Sequence, residues 1–182
     1  MHDPRAIANM IIEEGQRTQK LVTNLALQKL LYFAHALFLV ERKQPLVSGH
    51  FEAWKYGPVH PTAYQAFRSA GDQPITFRAT AIDALTGERR PLPSLTDQII
   101  ARHIERILSS YGELSPGRLV DISHAKGAPW HFVVESAKAT VSLGLRISDD
   151  VILERFKFHK VSVAAAPLVG EPGDDSPILA RD

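Results

Sequence analysis

The segment TNLALQKLLYFAHALFLV, residues 23–40, lies in the most apolar region of the chain and predicts its central helix. Thr23 or Asn24 can cap the start, and the apolar side chains that follow recur at helical spacing. These apolar positions are Leu27, Leu30, Leu31, Ala34, Leu37 and Phe38, and Phe33 and Val40 extend them nearly all round. Polar and charged side chains interrupt the run, which makes it too costly as a lone membrane span. The pattern therefore indicates a buried helix at the centre of a globular domain.

A narrow polar stripe runs along this helix. Gln28, Tyr32 and His35 follow one another at i, i+4 and i+7, and Lys29 adjoins them. Side chains at this spacing share one face of a helix. The stripe is expected to face either water or a partner, and the residues alone leave both possibilities open.

Start and stop signals divide the rest of the chain into shorter elements. Helices are predicted over residues 4–14, where Gly15 ends the first one, and over residues 61–67, where Gly71 stops the helix that Pro61 opens. Further helices are predicted from Thr96 as N-cap to Gly112, over 116–124, over 129–137 and over 149–158. Strands are expected between Val47 and Tyr56, and a hairpin between Pro74 and Pro93. The fold class is α+β: a predominantly helical single domain with a central buried helix and a small antiparallel sheet or hairpin.

The stretch FEAWKYGPVHPTAYQAF, residues 51–67, concentrates aromatic residues and prolines at a change of chain direction. Trp54 and Tyr56 are predicted on one side of a strand, Gly57-Pro58 is predicted to turn the chain, and His60-Pro61 leads into a helix. The aromatic side chains can fill a corner of the core. Tyr and Trp are also preferred anchors of protein interfaces, so the same corner can present them to a partner.

Composition limits the class of protein. The chain has 182 residues, 45% of them hydrophobic, which is enough for one domain with a substantial core. A net charge of +1 gives no overall field for a polyanion, so nucleic acid is not an expected partner. The beginning of the chain lacks a signal peptide pattern and a cytoplasmic protein without membrane contact is expected. The domain is predicted over residues 1–160, and residues 161–182, acidic and rich in proline and glycine, are predicted to form a disordered tail.

Catalytic and metal-binding patterns are missing from the sequence. The eight histidines follow no HExxH spacing and there is no cysteine, so neither a metal nor another cofactor is expected. Ser123 and His124 are neighbours in sequence and are not expected to face each other. Two rival hypotheses remain. One is an enzyme that uses His60, His124 or His131 as acid or base, and the other is a DNA-binding regulator that uses Arg89 and Arg90.

Four segments together resemble a known family. They are LQKLLYFAHALFL (27–39), FEAWKYGPVHPTAYQAF (51–67), SHAKGAPW (123–130) and ISDDVILERF (147–156). They are similar to the SocA-like, or Panacea, antitoxin domain, which also occurs in phage-associated GepA-like proteins. The resemblance runs from about Ile7 to Phe158.

The resemblance implies a mainly helical α+β domain without enzyme activity that binds and neutralises a toxin encoded beside it. It also implies that some members deliver their toxin to an ATP-dependent protease. Many relatives carry an additional helix-turn-helix domain, for which this chain has no spare length. Our hypothesis is that the polar stripe and the aromatic stretch adjoin and contact the toxin. The residues assigned to partner binding are Gln28, Tyr32, His35, Trp54, Tyr56, His60, His124 and Trp130.

Overall fold

The computed structural model describes residues 1–83, 85–139 and 145–156, with only the backbone described at 138 and 139. The helices are α1 (Pro4–Arg17), α2 (Asn24–Arg42), α3 (Pro61–Phe67), α4 (Gln98–Tyr111), α5 (Pro116–Ser123), α6 (Pro129–Ala139) and α7 (Asp149–Arg155). The strands are β1 (Phe51–Trp54), β2 (Gly57–Val59), β3 (Thr80–Ile82), β4 (Arg89–Pro91) and β5 (Arg146–Ile147). A short 3-10 turn, Arg68–Ala70, extends α3. The predicted fold class is confirmed.

Helix α2 is the centre of the domain. Leu27, Leu31 and Phe33 are fully buried, and α1, α4, α5 and α7 all pack against this helix. Thr23 caps its start by accepting a hydrogen bond from the amide of Ala26, which satisfies one of the donors left open at a helix start. The prediction of a central buried helix is therefore confirmed.

Two small antiparallel sheets lie around the helices. In the first, the strand order is β2-β1-β5, with Trp54 opposite Gly57 and Phe51 opposite Ile147. The second is the predicted hairpin, in which β3 pairs with β4 and Ile82 lies opposite Arg89. The chain between Trp54 and Gly57 makes a tight turn, so β1 and β2 also form a hairpin.

Some predicted boundaries are wrong for identifiable reasons. Gly15 does not end α1, which continues to Arg17. A Cβ on Gly15 would come within 2.7 Å of Val22 and 2.8 Å of the Lys20 carbonyl oxygen, so this glycine allows a close approach of the following loop. The N-cap of α4 is Asp97, whose carboxylate accepts from the amide of Ile99, rather than Thr96.

The turn predicted at Gly57-Pro58 lies two positions earlier, at Lys55 and Tyr56, and Gly57 opens β2. Helix α7 ends at Arg155, and residues 157–158, to which it was predicted to extend, lie outside the described residues. The boundary predicted at residue 160 and the predicted disordered tail, residues 161–182, also lie outside them. Within the described ranges, none of the helices combines the length and the apolar character needed to cross a membrane.

Candidate partner-binding surface

The polar stripe of α2 is buried, which corrects the prediction that it faces water or a partner. The exposed fractions of Gln28, Tyr32 and His35 are 1%, 0% and 2%. Residues 26–36 of α2 are all buried among the described elements, which also supply hydrogen-bond partners to Gln28 and His35. A partner cannot reach these side chains while the domain is folded as described. Their assignment to the toxin contact stays a prediction that would require local opening.

Tyr32 packs in an aromatic cluster. Its ring centroid lies 5.7 Å from that of Phe33, 5.4 Å from that of Phe51 and 6.1 Å from that of Phe156. The latter two contacts are edge-to-face, a favourable arrangement of aromatic rings. Burial raises the pKa of the Tyr32 hydroxyl. Tyr32 therefore joins α2 to β1 and to the end of α7.

Gln28 and His60 connect α2 to the entry of α3. The Gln28 Oε1 accepts a hydrogen bond of 3.1 Å from the backbone amide of His60, while its Nε2 donates to Asn24. The His60 Nε2 lies 2.9 Å from the Ser48 carbonyl oxygen, which can only accept, so Nε2 carries the proton. Burial lowers the pKa of His60. His60 is 2% exposed, so this predicted partner-binding residue also lies inside the domain.

His35 joins the loop at Val47 to helix α7 through its two ring nitrogens. Its Nδ1 accepts a hydrogen bond of 3.4 Å from the amide of Val47, so its Nε2 is the nitrogen that donates, at 3.1 Å, to the carboxylate of Asp149. Asp149 lies in the first turn of α7, where a negative charge is favourable. His35 thereby fixes α7 against the centre of the fold.

Trp130 contacts both Trp54 and His124 beside the β1–β2 hairpin, and Tyr56 lies in the turn of that hairpin; we call these four residues the aromatic corner. The Trp130 Nε1 donates a hydrogen bond of 2.9 Å to the Trp54 carbonyl oxygen. The rings of His124 and Trp130 stack with a centroid distance of 3.6 Å and an angle of 11°. Tyr56, His124 and Trp130 are half-buried, whereas Trp54 is 8% exposed and packs edge-on against Tyr64. Sequence reasoning named all four residues but did not connect the two segments.

Three side chains, one of them His124 of the aromatic corner, lie close to Gly57. A Cβ there would come within 2.5 Å of Ser123 Oγ, 3.0 Å of Lys29 Cε and 3.2 Å of His124 Nε2. Helix α5 ends at Ser123 and His124 is its C-cap, so both lie near Gly57, while the Ser123 Oγ donates its hydrogen bond to the Val120 carbonyl oxygen and not to His124. The backbone of Gly57 has φ +99, which side chains other than hydrogen rarely allow. Gly57 therefore permits the hairpin to lie directly against α2 and α5.

Sequence reasoning missed the burial of Lys29. The side chain is 0% exposed and its Nζ donates a hydrogen bond of 2.9 Å to the Pro58 carbonyl oxygen. A buried ammonium is stable only with partners of this kind. Lys29 lies in a helix that is apolar at most other positions, four residues before Phe33. This apolar context was the signal in the sequence that Lys29 is buried. Lys29 holds the second strand of the hairpin against α2.

The electrostatics of the corner keep His124 neutral. Burial, and then the charges of Lys29 and His131, lower the pKa of His124 to about 3. Its Nε2 is buried and has no hydrogen-bond partner within the part of the chain that the structure describes. Protonation would place a second cation beside the Lys29 ammonium. Burial and the neighbouring Lys29 ammonium therefore favour the neutral ring of His124.

This arrangement predicts a dependence of stability on pH. Since the folded-state pKa of His124 lies below its unfolded value of about 6.5, the unfolded state takes up the proton first and stability falls as pH drops below about 6.5. In His124→Phe, which keeps a flat ring on Trp130, this contribution is absent. Between pH 6.5 and 5.5 the parent should lose about 1 kcal/mol more than the variant. Urea unfolding at several pH values measures the difference, and parallel losses in both proteins would contradict the assignment.

The structure bears on the two rival hypotheses. An acid–base site would bring two of His60, His124 and His131 within hydrogen-bond reach. Among the described residues, no hydrogen bond joins any two of these histidines. Arg89 and Arg90 point to opposite faces of the β3–β4 hairpin, because they are consecutive residues of one strand. No group of three or more His, Asp or Glu side chains in the described ranges could hold a metal ion.

Comparison with known proteins identifies the family. The model of the family "Antitoxin SocA-like, Panacea domain" matches residues 27–131, from α2 into α6. The chain is 45% identical over 175 residues to Antitoxin SocA of Caulobacter vibrioides (strain NA1000 / CB15N), an alignment that covers 96% of this chain and 93% of that protein. No solved structure gives a significant match. Because the family model spans more than half of the chain and the relative aligns along nearly all of it, the protein belongs to the SocA-like antitoxin family that the Panacea domain defines.

Proposed function

We propose that this protein is an antitoxin that neutralises a cognate protein toxin by direct binding, without enzyme activity of its own. The observation that carries the proposal is the 45% identity to Antitoxin SocA along nearly the whole chain. The lack of a hydrogen-bonded histidine pair among the described residues is consistent with a binding protein.

The aromatic corner is the part of the predicted site that a toxin can reach. Tyr56, His124 and Trp130 are half-buried, so each offers one accessible edge or face. Tyr and Trp are the residues that most often dominate the binding energy of interfaces, because they bury a large area and lose little conformational entropy. Trp54, behind them, holds the ring of Trp130 through its carbonyl group. In this proposal Gln28, Tyr32, His35 and His60 support the surface from inside.

We extend the proposal to delivery of the bound toxin to an ATP-dependent protease. Its support is the family resemblance, since some members are thought to act in this way. An adaptor must hold its cargo and contact the protease at the same time, so it requires two separate surfaces. The extension is tested by the half-life of the toxin in cells, which should lengthen when either the antitoxin or the protease is removed. A half-life independent of the antitoxin would leave occlusion of the toxin as the mechanism.

The first test of the function is survival. The open reading frame beside this one is expressed with and without the protein, and growth arrest that only co-expression relieves is the expected result. If co-expression gives no relief, or if the purified proteins do not bind each other, the proposal is wrong.

Tyr56→Ala should weaken binding of the toxin roughly tenfold or more, as loss of an interface anchor does. Tyr56 lies in the turn between β1 and β2 and is only partly buried, so the melting temperature should change by less than about 4 °C. Calorimetric titration of the toxin measures the affinity. Ile99→Ser is the control, because Ile99 is 51% exposed on α4, away from the corner. If both variants bind as tightly as the parent, the toxin contacts another surface.

A further inference from the structure

A second surface lies beside the β3–β4 hairpin and is not part of the aromatic corner. It is an open groove of about 700 Å³ between the outer side of α3 and the hairpin, lined by Arg5, Gln65, Phe77, Arg78, Ile82 and Arg89 among others. Tyr64, on the opposite side of the same helix, contacts Trp54. Helix α3 therefore separates the groove from the aromatic corner.

The groove exposes large apolar side chains that a monomer would normally bury. Phe77 is 38% exposed and Ile82 is 66% exposed. The ring of Phe77 rests on Phe67 of α3, with centroids 5.8 Å apart, and presents its other side to the groove. Contiguous exposed apolar area with a polar rim is typical of a protein contact.

The charged residues of the groove are all arginines, and no acidic side chain lines it among the described residues. Arg5 is held by Asp3 at 2.7 Å and Arg78 by Glu13 at 2.9 Å, so both guanidinium groups are positioned rather than mobile. Arg89 is exposed and makes no ion pair within the described ranges. It lies directly opposite Ile82 in the antiparallel pair, so the cation and the apolar side chain share one face of the hairpin.

We propose that this groove binds an acidic segment of a partner protein that carries an apolar anchor residue. The anchor would cover Phe77 and Ile82, and its flanking carboxylates would pair with Arg89 and with the remaining donors of Arg5 and Arg78. Arginine forms the strong, geometrically specific pair with carboxylates. A polyanion such as DNA would pair with the arginines but would leave the aliphatic Ile82 without a matching group. The chemistry of the groove therefore favours a peptide over nucleic acid.

The hairpin also provides a matched pair of variants. Arg89→Ala removes the cation from the groove, whereas Arg90→Ala removes the neighbouring one from the opposite face, where it pairs with Asp83 at 3.0 Å. Ile82→Ser removes the exposed apolar contact. Because Arg89, Arg90 and Ile82 are all exposed, each variant should retain the fold, which circular dichroism checks.

The experiment uses the full chain and fluorescence anisotropy with labelled probes. The probes are a short peptide that alternates Glu or Asp with Leu, the same peptide with glutamines in place of the acids, a peptide of residues 168–182 and a short DNA duplex. We expect the acidic peptide to bind, and Arg89→Ala and Ile82→Ser each to weaken it at least about fivefold, while Arg90→Ala leaves it unchanged.

Several results would overturn the proposal. If the glutamine peptide binds equally well, charge complementarity does not drive binding. If Arg90→Ala weakens binding as much as Arg89→Ala, the peptide does not bind in the groove. Preferred binding of the duplex would make this a nucleic-acid surface. Tighter binding of the peptide of residues 168–182 would make the occupant the chain's own segment rather than a partner. The proposal is equally wrong if no probe binds at millimolar concentration.

Discussion

Replacing Tyr32 with alanine should lower the free energy of unfolding by about 3–5 kcal/mol, the usual cost of truncating a large aromatic side chain in a core. Tyr32 is fully buried, and its ring contacts Phe51 of β1 and Phe156 after α7, so the vacated space opens where three elements meet. Urea unfolding followed by circular dichroism measures the loss. Any reduction of toxin binding in this variant should disappear at temperatures low enough to keep it folded.

Tyr56→Ala is the matched control, because it is the same substitution in a half-buried turn. It should cost less than about 1 kcal/mol, as changes near the surface usually do. If the polar stripe of α2 were exposed and contacted the toxin, as the sequence suggested, Tyr32→Ala would instead stay folded and bind the toxin weakly. Similar stability of the two variants would contradict the central position of Tyr32.

Gly57→Ala should be the second strongly destabilising change, by about 2–6 kcal/mol. The new methyl group would lie 2.5 Å from Ser123 Oγ and 3.0 Å from Lys29 Cε, and overpacking of this kind costs about 1–3 kcal/mol. The backbone angle, φ +99, adds about 1–3 kcal/mol of strain for a residue with a side chain. The midpoint of urea unfolding reports the sum.

Gly127→Ala separates the two contributions. Its backbone angle is also positive, at φ +79, but a Cβ there would meet nothing within 4 Å. This variant should therefore show the strain without the clash and lose only about 1–2 kcal/mol. If Gly127→Ala is as damaging as Gly57→Ala, the crowding behind the aromatic corner is not what requires glycine at position 57.

Local signals predicted much of the fold correctly. The predicted starts at residues 4, 116 and 149 are correct, and each is preceded by a capping side chain, Asp3, Ser115 or Ser148, which acts on an amide only two or three residues away. The face of α4 that packs inward follows the helical spacing of its apolar residues. Its buried apolar positions are Ile100, Ile104, Ile107 and Leu108, with Tyr111 half-buried. Information of this kind is contained within one or two helical turns.

Long-range polar contacts could not be predicted in the same way. The partners of Gln28 and His35 lie 32 and 114 residues away along the chain, so no local pattern distinguishes an internal stripe from an accessible one. Gly15 was misread because glycine serves both to end helices and to admit a neighbouring backbone. The buried position of Lys29 similarly depends on the β1–β2 hairpin, which is remote in sequence. The sequence therefore identified the residues of the candidate site but could not predict how they are arranged in space.

The short helix α3 has a consequence for how two ligands would influence each other. Ala63 and Phe67 are fully buried and the amide of His60, just before the helix, is bound to Gln28, so α3 is anchored along its length. Because α3 is held rigidly, a ligand in the groove should not change the conformation of the aromatic corner. Occupancy of the groove should therefore not alter affinity at the corner, and the coupling free energy should be close to zero. The chain would then act as a passive tether, raising the effective concentration of one bound protein near the other without changing either affinity.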